Sequence, residues 1–355
     1  MTFFACTAAV LLWIAAIQRL VVSFRGSTTL WRSSFTVAVV ALAVGSTFFA
    51  LGPRVDAAVR VNNLATLLTH LAVGLSAGGV TVYLLTLRSD TVKLSHVAGA
   101  VGVNLLALLA MTLSWIAAPF HDSEFADISS APLTLASTIY FVIWYAYMTF
   151  VLTVTAIWCR TELSTTAHER KSVRIGLGII GVSTSLGAFG AALGMVRTAL
   201  RANAVDQLSA LSAVVNTLYF TGLIGIAIGT VFFVMGPRLE QWQHHRTLLR
   251  VLTPLAIRVR QLYPAVVLDE EHIARQTPSI RAQRLVIEIS DGLRLLPVQR
   301  DTSRPAGQII ADTLAADHHP VTGSTANDLL DRLPDTRSEQ ANLIDIAHRY
   351  GRCSQ

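Results

Sequence analysis

The sequence predicts an all-α integral membrane protein: a bundle of seven transmembrane helices, N-terminus outside and C-terminus inside, followed by a small helical cytoplasmic tail. Three observations carry this. Of 355 residues, 52% are hydrophobic and only 14% are charged, with a mean hydropathy of +0.53, whereas roughly 25% of residues in ordinary soluble domains are charged. Seven apolar runs each approach the roughly 20 residues that a bilayer core demands. Basic residues also collect on alternate connections between the runs, as they do on the cytoplasmic side of membrane proteins.

The first run, residues 3–22, reads as a retained helix and not a secretion signal. Met1-Thr2-Phe3 carries no charge, and Arg19, Arg25 and Arg32 come after the run instead of before it. Those arginines hold its far end in the cytoplasm, which places the N-terminus outside. The remaining runs are residues 34–51, 64–87, 97–118, 133–158, 173–196 and 208–235. With the N-terminus outside, the inner connections own Arg19, Arg25, Arg32, Arg88, Lys93, Arg160, Arg170, Lys171 and Arg174. The outer ones own Arg54, Arg60, Arg197 and Arg201, and the acidic loop 120–131 with Asp122, Glu124 and Asp127 also falls outside. Gly52-Pro53 cuts the second span short, so it must cross with little tilt.

This pattern divides the chain into a membrane bundle at 1–237, a juxtamembrane amphipathic helix at 238–264 and a helical cytoplasmic domain at 265–355. The net charge of +6 and pI near 9.6 arise in the membrane half, so they read as loop anchors and not as a nucleic-acid footprint. The partners expected are the bilayer and a cytoplasmic protein bound through 238–355, with no nucleic acid. Cys6, Cys159 and Cys353 are too scattered for a disulfide framework or a zinc site. Cys159, at the expected helix end beside Arg160, is either a lipidation acceptor or a plain buried thiol.

Within a bilayer, helices pack through small residues that let backbones approach closely. Gly74 and Gly78 in the third span, Gly190 and Gly194 in the sixth, and Gly225 and Gly229 in the seventh all have the four-residue spacing of that device. Together they predict a tight centre made of spans three, six and seven; a homodimer face is the alternative. Polar residues inside the hydrocarbon mark sites, because an unpaired polar group there costs several kcal/mol. No Asp, Glu, Lys or Arg falls at the centre of a span, which removes the buried charge that ion-driven pumps use. The bundle offers instead His70, Asn104, Asn216 and Tyr219, with the aromatic group Tyr140, Trp144, Tyr145 and Tyr147. Two readings fit. His70, Asn104, Tyr140, Trp144, Asn216 and Tyr219 line an outward-opening pocket for a small, partly apolar ligand. Alternatively, the polar members bond between helices and the aromatics form an interfacial belt.

Beyond Gln241, Arg246, Arg250, Arg258 and Arg260 alternate with Leu248, Leu249, Leu252, Leu255, Ile257 and Leu262, the pattern of a basic amphipathic helix that continues off the seventh span, rests at the headgroups, bends at Pro254 and ends at Tyr263-Pro264. Further helices are expected at 278–296, 305–316, 324–334 and 338–350, with Ser324 or Thr325 and Ser338 as caps. Their apolar positions are sparse, so the domain needs docking on the membrane-side helix or on a partner.

The tail stretch RLVIEISDGLRLLPVQ at 284–299, followed by a helical stretch and IDIAHRYGR at 344–352, is similar to the cytoplasmic tail of an actinobacterial family of seven-span proteins. That family is provisionally labelled as transporters, and its tail is a domain of unknown function. The resemblance covers the whole chain and implies a plasma-membrane protein, but it brings no substrate or catalytic residue.

Enzyme constellations are not found. The pairs His244-His245 and His318-His319 lack the i, i+4 spacing of a two-histidine metal face. Asp269-Glu270-Glu271 beside His272 reads as a solvated turn, and there is no HExxH, P-loop or GxSxG. No enzyme, metal or cofactor is therefore expected. The design predicts a sensor that couples an outward-facing pocket to a cytoplasmic partner through the tail. The alternatives are a transporter or facilitator of a small neutral solute, and an envelope scaffold without ligand.

Overall fold

The computed structural model describes residues 2–25, 30–88, 94–121, 132–165, 171–203, 209–266, 277–298, 305–315, 324–325 and 339–353, and these are almost entirely helical. Two compact units result, Met1–Pro237 and Arg238–Gln355. The first contains α1 (Thr2–Arg25), α2 (Leu30–Ala50), the short α3 (Gly52–Val59), α4 (Leu64–Arg88), α5 (Leu94–Ala117), α6 (Leu135–Thr165), α7 (Lys171–Ala202) and the start of α8 (Ser209–Leu262). Seven of these, all except α3, are long and apolar enough to cross a membrane. Their outer faces stay apolar: α5 buries Val97, Asn104, Met111 and Trp115 and exposes Val103, Leu106, Leu109, Leu113 and Ile116. A helix facing water carries charged and polar residues on that side.

Pro53 ends α2 and starts α3, where its fixed φ suits the first turn and its missing N–H costs nothing. Asp56 of α3 then caps α4, its carboxylate accepting the backbone N–H of Asn63 at 3.0 Å and of Ala65 at 2.8 Å. Asn63 sits in the left-handed region at φ 59, which asparagine tolerates better than most residues. Its side-chain amide donates to the Phe120 carbonyl at 2.9 Å. Replacing Asp56 by alanine removes the acceptor for two N–H groups and is expected to cost about 1 kcal/mol. Thermal unfolding of the purified protein in detergent checks this, with a lower Tm as the expected result.

Helices α6 and α7 outrun the predicted spans because hydropathy ends at Trp158 and Val196 while helix-forming residues continue, as in Ala199-Leu200-Arg201-Ala202. The extension corrects two expectations. Cys159 lies inside α6 and is fully buried, so it is no lipidation acceptor at a helix end. Arg197, taken as an outer-loop charge, lies inside α7 with its side chain in the bundle.

The glycines form separate seams in place of one centre shared by spans three, six and seven. A Cβ on Gly176 of α7 would stand 2.7 Å from the Phe233 nitrogen and 2.9 Å from the Gly229 oxygen of α8. One on Gly229 would meet the Gly176 oxygen and the Ile180 nitrogen at 3.0 Å. Gly225 faces the Ser183 side chain with no room for a Cβ, and Gly190 lies against Leu218. Gly194 is covered by the Tyr145 ring of α6. Gly74 and Gly78 of α4 instead pack on α5, against Leu108 and Asn104, so the third span has its own partner. A further cluster joins Leu12, Ala16, Val39 and Ala43 of α1 and α2 to Ala227 of α8.

The second unit consists of the C-terminal part of α8, α9 (Pro278–Arg294), α10 (Ala306–Ala315) and α11 (Glu339–Cys353). Leu248, Leu252, Leu255 and Val259 of α8 form one core with Ile289, Leu293, Ile310, Leu314 and Ile346. This corrects the headgroup position expected for the amphipathic helix: α8 supplies the apolar residues that the later helices lack, and its apolar face is covered by them. Arg260 donates to the Glu288 carboxylate from Nε at 3.0 Å and Nη2 at 2.7 Å, and Arg258 Nε donates to the Leu314 carbonyl at 2.8 Å. Ser324 and Thr325, expected to cap a helix, pair antiparallel with Val298 and Pro297. Helix α11 runs past its expected end at 350, through Gly351 to Cys353. The rest of the predicted helix at 324–334, the acidic loop residues 122–131, the Asp269–His272 group and the His318-His319 pair lie outside the described residues.

Candidate functional site

A cavity of about 520 Å³ lies among α2, α4, α6, α7 and α8. Most of its wall is apolar, including Val39, Val73, Met148, Leu177, Leu223 and Phe233. His70, Trp144, Arg197, Asn216 and Tyr219 stand where α2 and α7 end and α4, α6 and α8 begin, and the hydroxyl residues Ser76, Thr155, Thr184 and Thr230 are spread further along the wall.

The anchor of this end is His70. Its Nδ1 is 2.6 Å from the Tyr140 hydroxyl, and its ring stacks on Trp144 with centroids 3.9 Å apart at 18°. Tyr140 and Trp144 are four residues apart on α6, so one helical face presents both to α4. Tyr140 is itself fully buried and held edge-on by Phe120 and Phe141 at 5.3 and 5.6 Å. It is not a wall of the cavity. It fixes the histidine that is.

Of the six expected pocket residues, His70, Trp144, Asn216 and Tyr219 line this one cavity, and Asn216 does so from an exposed position. Asn104 and Tyr140 do not, which corrects the expectation for both. Asn104 is buried between helices, accepting the Tyr147 hydroxyl at 2.6 Å and resting on Gly78. An amide held this way joins α5 to α4 and α6 and stands away from the cavity wall.

Sequence reasoning missed Arg197. It is 5% exposed and lines the cavity, with Nη1 donating to the Ser212 hydroxyl at 3.3 Å and Nη2 to the Tyr145 hydroxyl at 3.4 Å. Nε is buried without a partner. The signal that could have found it is helix propensity past Val196, which carries the arginine one turn deeper than hydropathy alone.

The arrangement can bind an elongated, mainly apolar molecule and orient it by one polar end. Among the described residues there is no group of three or more His, Cys, Asp or Glu side chains able to hold a metal, and the His244 and His245 rings lie 6.0 Å apart and tilted by 52°. Comparison of the chain with protein-family models, with curated proteins and with solved structures returns no match.

Proposed function

We propose that this is a plasma-membrane sensor in which a ligand in the cavity biases the helical tail and thereby a cytoplasmic partner. The observation that carries the reading is that one unbroken helix, α8, supplies Asn216, Tyr219 and Phe233 to the cavity wall and Leu248, Leu252, Leu255 and Val259 to the core of the second unit. A ligand that favours one packing of α7 against α8 acts on the element from which the tail is built, provided it binds the two packings with different affinity. The cavity supports a ligand over a plain scaffold. The orientation in this reading is N-out and C-in, and with Arg197 counted inside the bundle the outer connections carry fewer basic residues still. Green fluorescent protein fused after Gln355 is then fluorescent, and alkaline phosphatase at the same place is inactive.

Coupling is tested on the full chain in nanodiscs by filling the cavity. Ala77 is a buried wall residue of α4, and Ala77→Phe places a ring in the space. Amide hydrogen exchange across 248–262 is expected to change by several-fold. Unchanged exchange in a folded Ala77→Phe protein would count against coupling. The transporter reading predicts flux of a cavity-binding solute in proteoliposomes, and the sensor reading predicts none.

A further inference from the structure

We infer that the cavity takes an amphiphilic organic anion, its carboxylate or phosphate on Arg197 and its apolar body along the inner wall; this rests on the cavity being a ligand site. A guanidinium removed from water is costly unless an anion or a full set of hydrogen bonds compensates it. Arg197 is 5% exposed and forms no ion pair among the described residues. Its two hydrogen bonds, at 3.3 and 3.4 Å, go to neutral hydroxyls and are longer than the usual N–H···O range of about 2.7–3.2 Å. The buried Nε has no acceptor at all.

Such a group is a fork of donors held by two long bonds to neutral hydroxyls, with its Nε unsatisfied. A carboxylate or phosphate accepts two parallel N–H bonds from one guanidinium, which neutral hydroxyls cannot do. Beside it, the His70 imidazole and the Tyr219 phenol are further cavity-wall groups at the same end. Away from that end the wall is mainly apolar, with Met148, Leu177, Leu223 and Phe233; its threonines Thr155 and Thr184 donate to carbonyls of their own helices, so it suits a hydrocarbon chain and offers no second charge. The chemistry therefore selects one anionic head on an apolar body. A free fatty-acid-like molecule and an anionic lipid headgroup of the bilayer share it.

The test uses the purified full chain in a neutral maltoside detergent and isothermal titration with decanoate and with its neutral isostere decanamide. Decanoate is expected to bind on the order of 10- to 100-fold tighter, the range of a charge-assisted hydrogen bond. Arg197→Gln should erase that difference and keep the decanamide affinity, while Arg197→Lys should keep part of it. Equal binding of the two compounds to the wild-type chain overturns the anion assignment and leaves the cavity as a ligand site. Binding of neither overturns both. If Arg197→Gln fails to fold, the wild-type comparison and the lysine variant carry the test. Repeating the titration in phosphatidylcholine nanodiscs, with and without phosphatidylglycerol, separates the two sources. Weakened decanoate binding in the presence of phosphatidylglycerol assigns the site to a bilayer lipid, and unchanged binding assigns it to a free amphiphile.

Discussion

Replacing Gly229 by leucine is expected to break the α7–α8 seam and to disconnect the tail from the cavity. A Cβ at this position would stand 3.0 Å from both the Gly176 oxygen and the Ile180 nitrogen. Both are backbone atoms, so no rotamer change relieves the contact and α8 itself must move. Overpacking of this kind costs about 1–3 kcal/mol, and the larger consequence is functional, because the displaced helix bears residues of the cavity and of the second core. Gly178 is the control: it lies on the same helix as Gly176, and a Cβ there meets nothing within 4 Å. Gly178→Ala should hold or raise stability by about 0.5–1 kcal/mol through helix propensity alone. Thermal unfolding of both variants separates seam from propensity. Cavity-dependent exchange across 248–262 should survive in Gly178→Ala and vanish in Gly229→Leu. A Gly229→Leu protein that couples normally would reduce α8 to an anchor.

Arg260→Ala is expected to be the most damaging single change in the second unit. Glu288 is only 3% exposed and Arg260 is 29% exposed, so removing the arginine leaves a carboxylate in the core without its main counter-charge. Breaking a buried pair from one side costs about 3–5 kcal/mol; the partial exposure of Arg260 puts this case at about 3 kcal/mol or below. Replacing both partners, as Arg260→Met with Glu288→Leu, should recover most of that loss, because no charge is left to desolvate. Denaturant unfolding of the full chain, followed through the second unit by tryptophan-independent exchange, gives the two values. A single variant as stable as the double one would mean that water reaches Glu288.

The helices were legible because their signals are local. A run such as 97–118 announces α5 by length and apolarity, and Gly52-Pro53 announces the break after α2 through the backbone geometry of proline. Pairings were not legible. Nothing local says that Gly78 meets Asn104 on α5 whereas Gly229 meets Gly176 on α7, since the same four-residue spacing serves any neighbour. The amphipathic stretch 238–262 shows the same limit: a basic helix with an apolar face suits a headgroup layer or a protein core equally well, and only the partners α9, α10 and α11 decide.

Of the site, His70, Trp144, Asn216 and Tyr219 were visible as polar or amphipathic groups in apolar runs, and they share one cavity. Asn104 carried the same signal and turned out to be satisfied by Tyr147, because composition cannot tell a paired amide from one that faces a space. Arg197 was hidden by the opposite error, a span boundary drawn at the last apolar residue although the helix runs on to Ala202. An arginine of the cavity wall had thus been counted with an outer connection.

The central claim, that an anion at Arg197 is read out by the tail through α8, is tested most directly by hydrogen exchange on the full chain in phosphatidylcholine nanodiscs with saturating decanoate. The account predicts that exchange across 248–262 changes in the wild-type protein and stays at its ligand-free value in Arg197→Gln. Decanoate that binds the wild-type chain by titration and leaves exchange across 248–262 unaltered would contradict it.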